Sequence, residues 1–203
     1  MPMSETVIFH DPATRYRNDA RVGASFAGTF SPTLPWVSQE AGRRFPDIAH
    51  RAHEVRVNPN RMSGGVYLSF FDEDGRVAFS TTLGILTAGV DMTAHLSERN
   101  YATLSYSMPD QFQAFLQHRV YNDPTFGFVA GAGYRREVFE FWSGNTWFST
   151  HMLSVSSVGL RGYSVLRPAP GVTRGGLRFG LYAGYALEHH RPVVQLTLSM
   201  GRF

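Results

Sequence analysis

The sequence predicts an all-β fold: an antiparallel up-and-down barrel of eight to ten strands that crosses a lipid bilayer. Three observations predict it. The first is a division of side chains along the strands, clearest in "LRFGLYAGYALEHHRPVVQLTLSMGRF". Successive side chains of a strand point to opposite faces. One row here is Leu177, Phe179, Leu181, Ala183, Tyr185 and Leu187, and the other is Arg178, Gly180, Tyr182, Gly184, Ala186 and Glu188. A half-exposed soluble strand carries Thr, Lys or Glu on its wet face, because bare glycine weakens a strand. A row of large apolar residues against a row of small ones suits a barrel with lipid outside and a narrow interior. The second is hydropathy: a mean of -0.19, with no apolar run near the 18 to 20 residues a helical span needs. Membrane strands need only about 9 to 11 alternating residues. The third is a regular succession of strands and short turn clusters, the mark of a meander that removes its edges by closing.

The elements follow in order. Residues 1–18 form an N-terminal extension, and residues 19–203 form one domain, since no composition break divides them. "MPMSETVIFHD" has no basic, apolar and small-residue succession of a secretory signal, so either the numbering starts on a mature or recombinant chain, or the chain is not exported and the membrane reading fails. The first strand is Asp19 to Phe30, with Val22, Ala24, Phe26, Gly28 and Phe30 opposed by Arg21, Gly23, Ser25, Ala27 and Thr29. The polar, Pro-containing stretch 31–62 exceeds a normal connection. It is expected to be a long external loop, or to hide a strand around His53 to Val57. Strands at Gly65 to Phe71 and Val77 to Val90 flank "DEDG", whose Asp74-Gly75 is a hairpin signal. Tyr101 to Ser107 and Phe112 to Tyr121 flank "MPDQ", Phe126 to Phe141 follows "NDPT", and Trp147 to Val165 follows "WSGN". With the closing pair this makes nine strands, and an even number is expected of a membrane barrel with both termini on one side. Tyr101, Tyr106, Phe126, Phe128, Trp142, Trp147, Phe148, Phe179 and Tyr185 fall mostly near strand ends, where aromatic rings prefer the headgroup zone.

Composition excludes several functions. With no Cys, disulfide frameworks, thiolate zinc sites and thiol catalysis are excluded. All 19 basic residues are Arg, spread along the chain with no basic stripe bearing stacked aromatics, which argues against nucleic-acid binding.

This pattern, from Asp19 to the terminal Phe203, resembles the small outer-membrane β-barrel proteins of Gram-negative bacteria. The resemblance is architectural and implies export to the bacterial outer membrane. Such proteins commonly end in an aromatic residue read by the assembly machinery. Phe203 matches that, although by simple parity it points with Gly201, Ser199 and Thr197. Members serve as anchors, adhesion or defence proteins, narrow channels or lipid-modifying enzymes, and fold does not choose among them.

On this reading Phe26, Phe179, Leu181, Tyr185, Leu196 and Leu198 face lipid. Arg21, Arg178, Tyr182 and Glu188 face the lumen, with Arg119, Arg135, Arg161 and Glu137. Buried charges need partners, so an ion-pair network is expected to plug the interior, while a ten-stranded barrel leaves room for a small-solute path. Catalytic sets are weak: His118 on the apolar row of its strand, and His151 followed by Ser154, with no acid placed to orient either. His50 and His53 lack a third ligand, and His189 and His190 read as turn residues. "DEDG" lacks the spacing of a calcium loop. No metal or cofactor is called for. Expected partners are membrane lipid or lipopolysaccharide, for which Arg is suited, and other envelope proteins. The function expected is a structural, anchoring or interaction role, or a narrow channel. Two alternatives remain: a soluble lipocalin-like barrel with Leu177, Phe179, Leu181, Leu196 and Leu198 lining an apolar pocket, and a lipid-modifying membrane enzyme using His118 or His151.

Overall fold

Alternation along the chain becomes antiparallel pairing around a ring. The computed structural model describes residues 20–30, 34–45, 56–57, 60–71, 76–84, 88–108, 111–142, 151–167 and 176–201. The elements are β1 (Ala20–Phe30), α1 (Leu34–Arg44), β2 (Arg56–Val57), β3 (Asn60–Phe71), β4 (Val77–Gly84) and β5 (Ala88–His95). They continue as β6 (Asn100–Ser107), β7 (Gln111–Asn122), β8 (Phe126–Trp142), β9 (His151–Leu166), β10 (Gly176–Ala186) and β11 (Arg191–Gly201). From β3 to β11 each strand pairs with the next in sequence, β11 pairs with β1, and β1 pairs with β3. Among the described residues ten strands therefore close a ring, and closure removes the unpaired edges of an open sheet. The eleventh, β2, lies outside the ring on the far end of β8 (Arg56↔Trp142). It finds space there because β7 pairs with β8 only as far as Arg136.

The tenth strand does not come from the long connection, where β2 is two residues long. It comes from the stretch 77–90, expected as one strand, which is the hairpin of β4 and β5 (Val77↔Ala94 to Leu83↔Ala88). The phase of the alternation marks the break. Exposed apolar residues sit on odd numbers through Val77, Phe79 and Leu83, and on even numbers from Val90 and Met92.

The connection 31–62 holds a helix that was not expected. Pro35 suits a first turn, where its missing N–H costs nothing. Arg43 and Arg44 lie in the last turn, where cations favour the helix dipole. Phe45 precedes Pro46, and the residue before a proline is pushed out of the helical region. Val37 and Ala41, four apart on one helix face, are fully buried against Phe139, Phe141, Leu153, Val155, Ala186 and Val193. Burying a valine stabilises by about 1.5–3 kcal/mol. Trp36 Nε1 donates to the Pro192 carbonyl (3.0 Å), holding α1 across one end of the barrel. The short turns at 96–99 and 123–125, the start of β1 and the end of β11 lie at the opposite end.

Candidate functional site

The interior is filled by one row of each strand, and backbone register decides which. On β10, Arg178, Tyr182 and Ala186 are buried, whereas Leu177, Phe179, Leu181 and Tyr185 are exposed on the outside. On β11, Val193, Gln195 and Ser199 are buried, with Leu196 and Leu198 outside. The soluble-barrel alternative requires the reverse arrangement. Of β1 the structure gives the backbone: Phe26 stands opposite Met200, in register with the outer row, and Arg21 stands opposite Ser69, whose own partner is the buried Ser80.

Near the α1 end, Arg135 Nη2 meets Glu137 Oε1 at 3.2 Å, and Gln195 Nε2 donates to the same oxygen at 3.2 Å. The Arg135 guanidinium lies 5.5 Å from the Tyr182 ring centre, and Tyr182 Oη bonds Ser157 Oγ at 2.8 Å. Phe115 meets Tyr182 edge-to-face, with ring centres 5.9 Å apart, the geometry that aromatic quadrupoles prefer. Toward the other end Arg161 lies over Phe115 at 4.1 Å, and Arg178 over Tyr163 at 3.8 Å. Among the described residues the buried charged side chains are Arg135, Arg161, Arg178, Glu137 and Asp91, so guanidinium charge exceeds carboxylate charge. Stacking on aromatic faces compensates part of that excess, because a weakly hydrated guanidinium is attracted to a π face.

Phe115 was not anticipated. It stands in the inward row of β7 between Gln113 and Gln117, where it fits because its partner is Gly133; a Cβ on Gly133 would meet the Ala114 carbonyl at 2.1 Å and the Phe115 ring at 2.8 Å. A lone aromatic in a row of glutamines was the available signal.

Two placements differ from expectation. Glu188 lies beyond β10, exposed in the turn to β11, where its Oε2 accepts the Ser156 N–H (3.0 Å). It does not face the lumen, because β10 ends at Ala186. Partial burial pushes its carboxyl up, but the Ser156 hydrogen bonds and neighbouring His189 outweigh this and hold it below the usual carboxylate range. Tyr101 belongs to the interior, not to an outer girdle: it is fully buried, with Arg119 over its ring at 5.9 Å.

The catalytic candidates are not brought together. His118 faces outward, and its Nδ1 contacts Asn100 Oδ1 at 2.9 Å. The Asn100 amide donates in turn to Ser97 Oγ at 2.6 Å. The imidazole thus contacts the Asn100 amide, and the amide stands between it and the Ser97 hydroxyl. His151 packs on Phe45 (ring centres 4.6 Å apart), and Ser154, three residues along an extended strand, points to the other face. His189 lies 3.9 Å from Glu40. His190 takes a positive φ of 52°, as the turn requires. Among the described residues no group of three His, Cys, Asp or Glu is placed to hold a metal. His50, His53, "DEDG", Trp147, Phe148 and Phe203 lie outside the described residues.

No family model matches the chain, and no curated protein matches it. The solved structures it is similar to include two outer-membrane β-barrel proteins. One is Ail, the attachment invasion locus protein of Yersinia pestis, in complex with the heparin analogue sucrose octasulfate: 9% identity, 91% of this chain and 97% of that one covered, TM-score 0.37. The other is the N-terminal β-barrel domain of Pseudomonas aeruginosa OprF: 8% identity, 90% and 99% covered, TM-score 0.34. At these identities and scores neither transfers a function to this chain.

Proposed function

We propose that this chain spans a bacterial outer membrane as a side-chain-filled barrel, and serves the envelope as an anchor and interaction scaffold. The observation that carries this is an apolar girdle. Leu83 is 70% exposed, Leu116 64% and Leu160 67%, and Val66, Leu104, Phe179 and Leu196 continue the belt on other strands. A soluble monomer rarely exposes one contiguous apolar patch beyond a few hundred Å², whereas a bilayer solvates such a belt. On β9 the outer row changes from Leu160 and Val158 to Ser156 and Ser154, and on β8 it ends at Arg136. The last stretches of these long strands would thus stand clear of the hydrocarbon, where they hold α1. Partners in this reading are lipid or lipopolysaccharide around the girdle, and envelope proteins at the α1 end. A plugged interior favours scaffold over channel.

The test is folding in detergent. The purified chain is expected to need detergent to remain monodisperse, and to run as a heat-shifted band when boiled and unboiled lanes are compared. A chain that is monodisperse in plain buffer would overturn the proposal.

A further inference from the structure

At the barrel end opposite α1, a cleft of about 450 Å³ is lined by Arg99, Arg119, Val120, Tyr121 and Asn122. A β-bulge makes it. Arg119 pairs with Val129 and Tyr121 with Phe128, which leaves Val120 as an extra residue in β7. Bulges turn a strand and re-aim side chains, often beside functional sites. Here the bulge leaves both Val120 and Tyr121 exposed, with the exposed His118 between them and outward-facing Leu116. The Arg119 N–H bonds the Arg99 carbonyl at 2.8 Å, which sets Arg119 of β7 beside Arg99 of the turn before β6. Arg119 is held in place by the Glu98 carbonyl (3.1 Å) and by stacking on Tyr101; Arg99 is exposed at the turn. The nearest acid on the β8 side, Asp123, is already engaged by the Thr125 and Phe126 amides and by the Tyr121 hydroxyl at 2.8 Å. Exposed Glu98 is the other acid beside the arginines, and Arg167, bonded to Asn122 and to the Phe126 carbonyl (3.2 Å), adds a third cation.

A pair of cations beside an exposed apolar step, at the rim of an apolar girdle, matches one kind of molecule. We propose that this cleft binds the phosphodiester headgroup of a membrane phospholipid. Arg99 and Arg119 donate to the phosphate oxygens, and Val120 and Tyr121 lie along the glycerol and the first methylenes. This site rests on the membrane-spanning reading above. Free phosphate shares the headgroup's chemistry, but would leave the Val120 and Tyr121 step unused.

The experiment is native mass spectrometry of the detergent-folded chain with phosphatidylglycerol, with a diacylglycerol of the same acyl chains, or with inorganic phosphate. The expected result is a one-to-one phosphatidylglycerol adduct that neither other probe forms, weakened about tenfold by Arg99→Glu, about 1.4 kcal/mol. Val120→Ser, which leaves both arginines in place, is expected to weaken the lipid adduct as well. Equal retention of diacylglycerol, displacement of the lipid by inorganic phosphate, or an unchanged Arg99→Glu variant would each overturn the site. If the chain still shows its heat-shifted band, only this site fails; if it is monodisperse in plain buffer, the membrane reading fails and this site goes with it.

Discussion

Asp123 shows how much one side chain can fix at a strand end. Its Oδ1 accepts the Thr125 N–H (2.7 Å), the Thr125 hydroxyl (2.9 Å) and the Phe126 N–H (2.7 Å), and its Oδ2 accepts the Tyr121 hydroxyl. Those bonds, the Phe126 amide first, hold its carboxyl well below the usual range. A carboxylate with a depressed folded pKa contributes stability that is complete above its unfolded value, about 3.9, and is lost as pH falls below that toward the folded value. Asp123→Ala is therefore expected to destabilise the β7–β8 hairpin at neutral pH and to show less acid sensitivity than the parent below pH about 4. Thermal midpoints of the folded band, followed across that range, check it; parallel acid profiles would sink the assignment. "NDPT" was legible as a turn, because Asn, Asp and Pro there each have a local reason to end a strand. The engagement of all four donors by one carboxylate was not, since it depends on the backbone conformation that 121–126 adopts around the turn. Position misled at Tyr101: nearness to a strand end suggests a headgroup girdle, but only the register of β6 says which face the ring takes.

Glycine decides the shape of β8, β9 and β10. Gly133, Gly159 and Gly184 stand in one cross-strand row, and the neighbouring aromatics Phe115 and Tyr182 fold over the first and last of them. Because the atoms a Gly133 Cβ would strike include backbone, the neighbours cannot yield by changing rotamer. Gly133→Val is expected to cost at least about 1–3 kcal/mol, the usual range for overpacking. Gly162 is the control: a Cβ there meets nothing closer than the Phe128 ring at 3.8 Å, so Gly162→Ala is expected to be near neutral. Urea midpoints of the two variants check the contrast, and equal midpoints would overturn it. Most strands could be read from the sequence because one face is large and the other small, and that survives any uncertainty about turns. The β4–β5 hairpin was missed since its turn has no Asn, Asp or Pro, leaving only the phase switch of the apolar row. Helix α1 was missed because two buried residues, Val37 and Ala41, are too few to display a helical period.

At the scale of the whole molecule, the question is whether ten strands leave a path for solutes. Ring size alone argues for one, because ten strands enclose more space than the eight that side chains just fill. The interior row argues against it. Phe115, Tyr163 and Tyr182 lie within the ring with Arg135, Arg161 and Arg178 against them, all nearly solvent-free, and α1 covers the end nearest Tyr182. Aromatic rings folded over glycine consume the extra width that two more strands supply. In planar bilayers the parent chain is therefore expected to be electrically silent. Phe115→Ala combined with Tyr182→Ala removes the two rings that meet edge-to-face in the lumen below α1, at a cost of about 3–5 kcal/mol for the Phe alone, so the heat-shifted band must first show that the double variant folds. If it does, steady conductance is expected, with anion preference, because three buried arginines would line the opened path against Glu137 and Asp91. Conductance by the parent chain would mean that the stacked interior rearranges in the bilayer, and the scaffold reading would give way to a channel. A folded double variant that stays silent would place the obstruction at α1 rather than at the rings, and deletion of residues 34–45 would then be the change that opens it.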